Sequence, residues 1–173
     1  YSVTITDQNG CSKQDSIIIT EPTPLVSSLQ SLTNFNGFDL SCFGDSLGSI
    51  DLTVSGSLSP YLYSWSNGES SEDIDSLIAG FYSVTITDQN GCSKQDSIIL
   101  TEPTPFIHSS SISHVTCNGF SDGNISIFPY GGISPYNYLW NNFDTSQNSL
   151  NLATGFYSII ITDLNNCIIF ESL

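Results

Sequence analysis

The sequence predicts an all-β chain of tandem immunoglobulin-like antiparallel β-sandwich repeats strung end to end. Three observations predict it. Short segments alternate apolar and polar residues, turn signals of the Asn-Gly and Gly-Gly type separate them, and the whole pattern recurs along the chain. No segment sustains a helical apolar period.

The elements follow in order. In the stretch 50–55, Ile50, Leu52 and Val54 fall on one face. Tyr61, Tyr63 and Trp65 share a face, and so do Tyr82, Val84 and Ile86. β-branched and aromatic residues at a period of two are the mark of strands with one face buried. Asn67-Gly68, Asn90-Gly91 and Gly131-Gly132 supply turns between them. Six or seven such strands in a unit of about 75–80 residues suit an antiparallel sandwich, with Trp65 and Trp140 anchoring its cores from a central strand. Pro129 stands where the other copy has Val54, so the sequence predicts a bulge or an edge there.

Residues Tyr1–Pro24 and Tyr82–Pro105 differ only at Ile19 against Leu100. Residues 42–98 also align without gaps on 117–173, with 24 of 57 positions identical. The chain therefore reads as the C-terminal part of a preceding repeat (1–24), a complete repeat (25–105) and a following repeat cut short (106–173). There is no methionine, and Tyr1 opens inside a strand pattern, which reads as a piece of something longer. The Glu-Pro-Thr-Pro segments at 21–24 and 102–105 are the joints, where proline favours extended, semi-rigid backbone. Before the loop cysteine of the complete unit, the stretch Thr33–Ser41 carries six residues more than the following unit has.

Charge narrows the function. Seventeen acidic residues face two basic ones, Lys13 and Lys94, for a net charge of −15. Nucleic-acid binding needs Lys and Arg and is not expected. Binding to an anionic membrane surface is unfavourable, and no apolar run is long enough to insert as a helix.

Five cysteines are an odd number, which the repeat explains. Cys42 and Cys92 are 50 apart, as are Cys117 and Cys167, and each pair occupies the same two positions of its unit. The expectation is two disulfides, Cys42–Cys92 and Cys117–Cys167, with Cys11 unpaired within these residues. Each closed loop would contribute about 4 kcal/mol by chain entropy. Metal binding is the alternative, but the cysteines lack a CxxC spacing. Disulfides place a chain outside the cytoplasm.

Other motifs have plain readings. Gly44-Asp45-Ser46-Leu47-Gly48 and Gly119-Phe120-Ser121-Asp122-Gly123 match GxSxG. A nucleophile elbow needs a helix after it and a histidine base, whereas a strand follows here and residues 25–105 contain no histidine. The motif is a glycine turn feeding a strand, and no catalytic residues are expected. His108 and His114 lack further metal ligands nearby. Asp45, Asp51, Asp73, Asp75, Asp88 and Glu102 keep calcium open as an alternative to no cofactor, although no D-x-D-x-D-G loop is present. Asp88 and Asp163, each at a strand end, fit Asx-type turn caps. Asn124-Ile125-Ser126 matches the N-glycosylation pattern but lies inside a predicted strand. Exposed aromatics such as Phe35, Phe38 or Tyr130 could stack on sugars, which gives a carbohydrate-binding module as an alternative, and a passive spacer in a secreted multidomain protein as another.

The stretch SCFGDSLGSIDLTVSGSLSPYLYSWSNG, then LIAGFYSVTITDQNGC and a Thr-Glu-Pro joint, closely resembles the SprB repeat, found in large surface adhesins of gliding bacteria of the Bacteroidetes group. The following unit keeps the pattern as TCNGFSDGNISIFPYGGISPYNYLW and ATGFYSIIITDLNNC. The resemblance implies a long extracellular filament exported by type IX secretion, moved by the gliding machinery through other regions, and attached to a substratum or its glycans. Neighbouring repeats are the nearest partners. Bacteria of that group O-glycosylate Asp-Ser/Thr-aliphatic sequences, which makes Ser16, Ser46, Ser76 and Ser97 candidate sugar sites.

Overall fold

The computed structural model describes residues 1–173 and contains only strands, turns and loops. A hairpin comes first, β1 (Ser2–Thr6) and β2 (Ser12–Ser16). The first sandwich follows: β3 (Val26–Ser31), β4 (Gly48–Ser55), β5 (Leu62–Trp65), β6 (Ile74–Leu77), β7 (Gly80–Thr87) and β8 (Ser93–Leu100). The second comprises β9 (Ile107–Ser113), β10 (Gly123–Tyr130), β11 (Asn137–Trp140), β12 (Asn148–Leu152), β13 (Ser158–Thr162) and β14 (Ile168–Ser172).

In the first sandwich, β3-β4-β6 form one sheet and β5-β7-β8 the other; in the second, β9-β10-β12 face β11-β13-β14. All pairings are antiparallel. This is the immunoglobulin arrangement without the last strand of its four-stranded sheet. The alternation dictates it: Tyr82, Val84 and Ile86 are buried along β7 while the residues between them are not. Ile50, Leu52 and Trp65 meet them from the other strands, and Ile125, Ile127, Trp140, Ile159 and Ile161 build the second core.

Side chains with a polar handle are anchored alike in both copies. The Trp65 and Trp140 indoles donate to the Ser71 and Ser146 carbonyls at 2.9 Å. The Tyr82 and Tyr157 hydroxyls donate to carbonyls four residues upstream, of Ile78 and Ala153, at 3.0 Å, as the tyrosine corner of such folds does. Strand β10 pairs with β12 only over Gly123–Ser126, so its edge is open where Pro129 falls. The register shift lies at the other end of the strand, between Gly123 and Ile125, and recurs between Gly48 and Ile50.

The joints are seated, not free. Thr23 and Thr104 carbonyls accept from the amides of Ser57 and Gly132, at 2.9 and 3.0 Å. A Cβ on Gly56 would lie 1.9 Å from the Pro24 carbonyl oxygen, and one on Gly131 1.8 Å from that of Pro105. Upstream, Gly44 N–H donates to Glu102 Oε2 at 2.7 Å, and Pro103 is fully buried. The second joint thus bonds to both sandwiches within four residues.

Candidate functional site: the covalent seam between the sandwiches

The structure corrects the disulfide expectation. Cys42 is bonded to Cys167, across the two sandwiches, with a Cα–Cα distance of 5.7 Å. Cys92 and Cys117, expected to pair with them, are exposed free thiols, as is Cys11. Topology explains this. The Cys42 loop is held where the chain leaves the first sandwich: Asp39 and Leu40 amides donate to the Thr101 carbonyl at 3.1 and 3.0 Å. Cys92 sits at the opposite end of β8, before Ser93. Seven strand steps separate the two ends, roughly 23 Å. A disulfide needs Cα atoms within about 7 Å. Equal spacing in each unit reflects one cysteine at each end of both sandwiches, not a pair within one.

Each cysteine is presented by an aspartate-capped turn. Asp163 Oδ1 accepts from the amides of Asn165 and Cys167, both at 2.9 Å, and its Oδ2 from that of Ile133 at 2.9 Å. Asp88 holds the Cys92 turn in the same way, accepting from Asn90 at 2.9 Å and Cys92 at 2.7 Å, with the Ser57 hydroxyl on its other oxygen. The Ser57 hydroxyl bond is the main reason that the Asp88 carboxyl sits below the usual range; burial opposes it, and the Cys92 and Asn90 amides add to it. Asp7 repeats the cap before Cys11. On the loop side, Asp45 accepts from the Ser41 hydroxyl and the Cys42 amide. Asp122 does the same for Thr116 with both its oxygens, from a different sequence position; the Thr116 hydroxyl, then its amide, lowers its pKa.

Polar contacts line the seam beside the sulfurs. Asn165 Nδ2 donates to the Ser41 carbonyl at 2.9 Å, and Asn36 Nδ2 donates to Asn165 Oδ1 at 2.5 Å. Asn36 tips a tight hairpin in which Phe35 and Phe38 exchange backbone bonds, with Asn36 and Gly37 both at positive φ. The longer loop of the first unit therefore reaches the second. The extra residues were visible in the sequence; their contact was not. Phe35 and Phe38 belong to this hairpin, and Tyr130 is exposed at the end of β10.

The remaining sequence-predicted residues lie apart. Asp51 accepts from Gln30, Asp73 from the Leu52 amide, and Asp75 from the Ser76 hydroxyl. No three His, Cys, Asp or Glu side chains converge in a metal-binding group. His108 Nε2 lies 3.9 Å from Glu171 Oε2, and His114 is exposed. The GxSxG segments are turns, with Gly44 and Gly119 at positive φ, and lead into β4 and β10. Asn124 lies in β10. Ser16, Ser46, Ser76 and Ser97 are all exposed.

No curated protein matches the chain. A solved structure of the amphioxus IgVJ-C2 molecule is similar at 15% identity, over 68% of this chain and 88% of that one, with a TM-score of 0.31. Residues 38–70 of the first sandwich and 109–145 of the second both match the family model described as the SprB repeat.

Proposed function

We propose that these residues are a stretch of a long extracellular adhesin filament on the cell surface, with a structural and adhesive role in gliding and attachment. The observation that carries this reading is the seam. One sandwich is bonded to the next by a disulfide, a buried proline joint and side-chain contacts, as suits a stalk that transmits force. The SprB repeat match supports the cell surface as its location. In this reading type IX secretion exports the chain, the gliding machinery engages other regions of it, and the exposed Asp-Ser serines 16, 46, 76 and 97 carry O-linked sugars. The sandwiches themselves need no cofactor.

The test is an antibody against residues 25–105, applied to living cells of the source organism. Label travelling along the surface is the expected result. Stationary surface label would leave an adhesin or coat without the gliding role. Label only in the medium would reject the filament for a spacer or sugar-binding module of a secreted protein. Mass spectrometry of the native chain checks the sugars, and four unmodified serines would remove that part.

A further inference from the structure

We propose that Cys42–Cys167 is one rung of a disulfide ladder along the array. In every unit, the cysteine of the loop before its second strand bonds the hairpin-turn cysteine of the unit after it. Cys92 then bonds the loop cysteine of the preceding unit, and Cys117 bonds the hairpin-turn cysteine of the following one. Cys11 takes its partner one unit further back than Cys92 does. The inference deepens the filament reading, and rests on it only in needing further units on both sides.

Three observations carry it. First, each sandwich presents one cysteine at each end, and the bond formed joins a trailing end to a leading end. The two free thiols of the sandwiches, Cys92 and Cys117, are the unused leading and trailing ends of the same pair. Second, each free cysteine stands beside an aspartate-held turn as the bonded ones do, although the Cys117 face lacks the hairpin that reaches Asn165 at the bonded seam. Asp88 caps the Cys92 turn as Asp163 caps that of Cys167, and Asp122 holds Thr116 beside Cys117 as Asp45 holds Ser41 beside Cys42. Third, the joint at 21–24 docks on the first sandwich as the joint at 102–105 docks on the second, through Thr23 on Ser57 and Pro24 against Gly56. The same joint carries the preceding unit to the same side, where Cys92 stands. The hairpin β1–β2 repeats β7–β8 in sequence and in pairing, as the end of a preceding unit of this kind would.

Each rung forms from two thiols. They lose two protons and two electrons to a disulfide-bearing oxidant outside the cytoplasm, which becomes a dithiol as the new S–S bond closes. The step leaves no odd cysteine within the array.

Linked-peptide mass spectrometry of the native full-length protein tests this. Free thiols are alkylated first, and the digest is run without reduction. The expected result is Cys42 linked to Cys167, Cys92 and Cys117 linked to peptides of the neighbouring units, and neither of them alkylated. Cys42–Cys92 or Cys117–Cys167 links, or alkylated Cys92 and Cys117, would overturn it. A Cys117→Ser variant gives a second readout. The ladder requires that it frees the hairpin-turn cysteine of the following unit and leaves Cys167 bonded; alkylation of Cys167 instead would sink the idea. A protein that travels on cells yet carries links within its units would overturn the ladder and leave the filament reading standing.

Discussion

At the scale of single residues, aspartates and glycines do work that the charge count conceals. Asp163 is almost fully buried and satisfies three backbone amides. Asp163→Asn would turn an amide donor toward the Ile133 N–H or sacrifice the bonds to Asn165 and Cys167. It should cost about 1–3 kcal/mol, read by urea denaturation. Asp88 and Asp122 give a pH dependence with a definite sign. Their carboxyls titrate lower in the folded chain than in the unfolded one. Their contribution is therefore complete above the unfolded value, about pH 4, and is lost as pH falls through the folded values. Tyr63 acts at the other extreme. Burial first, then the nearby Glu72 carboxylate, pushes the phenol up to about 12, so its contribution fades as pH rises from about 10 towards that value. Melting temperature against pH should fall on both flanks. Gly131 makes a sharper case. Gly131→Ala adds both strain at φ 73° and a clash with the Pro105 carbonyl, whereas Gly68→Ala, at φ 91° with nothing within 4 Å, adds strain alone. Gly131→Ala should therefore melt several degrees lower than Gly68→Ala, beyond the roughly 1–3 kcal/mol of a strained residue. Equal melting points would mean that the joint is not seated there.

At the scale of elements, alternation specifies the strand and the facing sheet supplies the burial. Val84 and Ile86 of β7 pack against Ile50 and Leu52 of the opposite sheet and are 1% and 0% exposed. The tryptophan strands show what that burial is worth. Trp140 fills the second core with its indole bonded to Ser146, so Trp140→Ala should cost about 3–5 kcal/mol and unfold the second sandwich first. Loss of near-UV circular dichroism, followed by hydrogen exchange along β10–β14, would check it. The hairpin at 35–38 is an element of a different kind, contributing no core and reaching across to Asn165.

At the scale of the whole molecule, the seam changes the mechanics. A bond across 125 residues restricts the unfolded chain by about 5 kcal/mol in the chain-entropy account. It also shields that span from force applied at the two ends. Stretching the oxidised chain should extend only the segments outside Cys42–Cys167. Adding reductant should release roughly 40 nm more, at about 3.3–3.6 Å per residue. An unchanged contour length would contradict the bond. On residues 1–173 alone, without neighbouring units, a thiol count separates the pairings directly: the Cys42–Cys167 bond leaves three free cysteines, whereas pairing within each unit would leave Cys11 alone.

The sequence by itself determined the strands, their faces, the turns and the repeat, because period-two alternation, Asn-Gly signals and self-similarity are local properties of the chain. Ile50, Trp65, Val84 and Ile86 are buried as their spacing requires. The aspartate caps before Cys92 and Cys167 were legible too, since an Asx turn closes within four residues. Only the tertiary structure decided the partner of Cys42. A loop cysteine and a hairpin cysteine at constant spacing look like a pair in one dimension. Folding places an eight-residue strand between them and brings the next sandwich's hairpin to the other end. Which end of a strand a residue occupies depends on the direction of every strand before it, and that is a property of the topology.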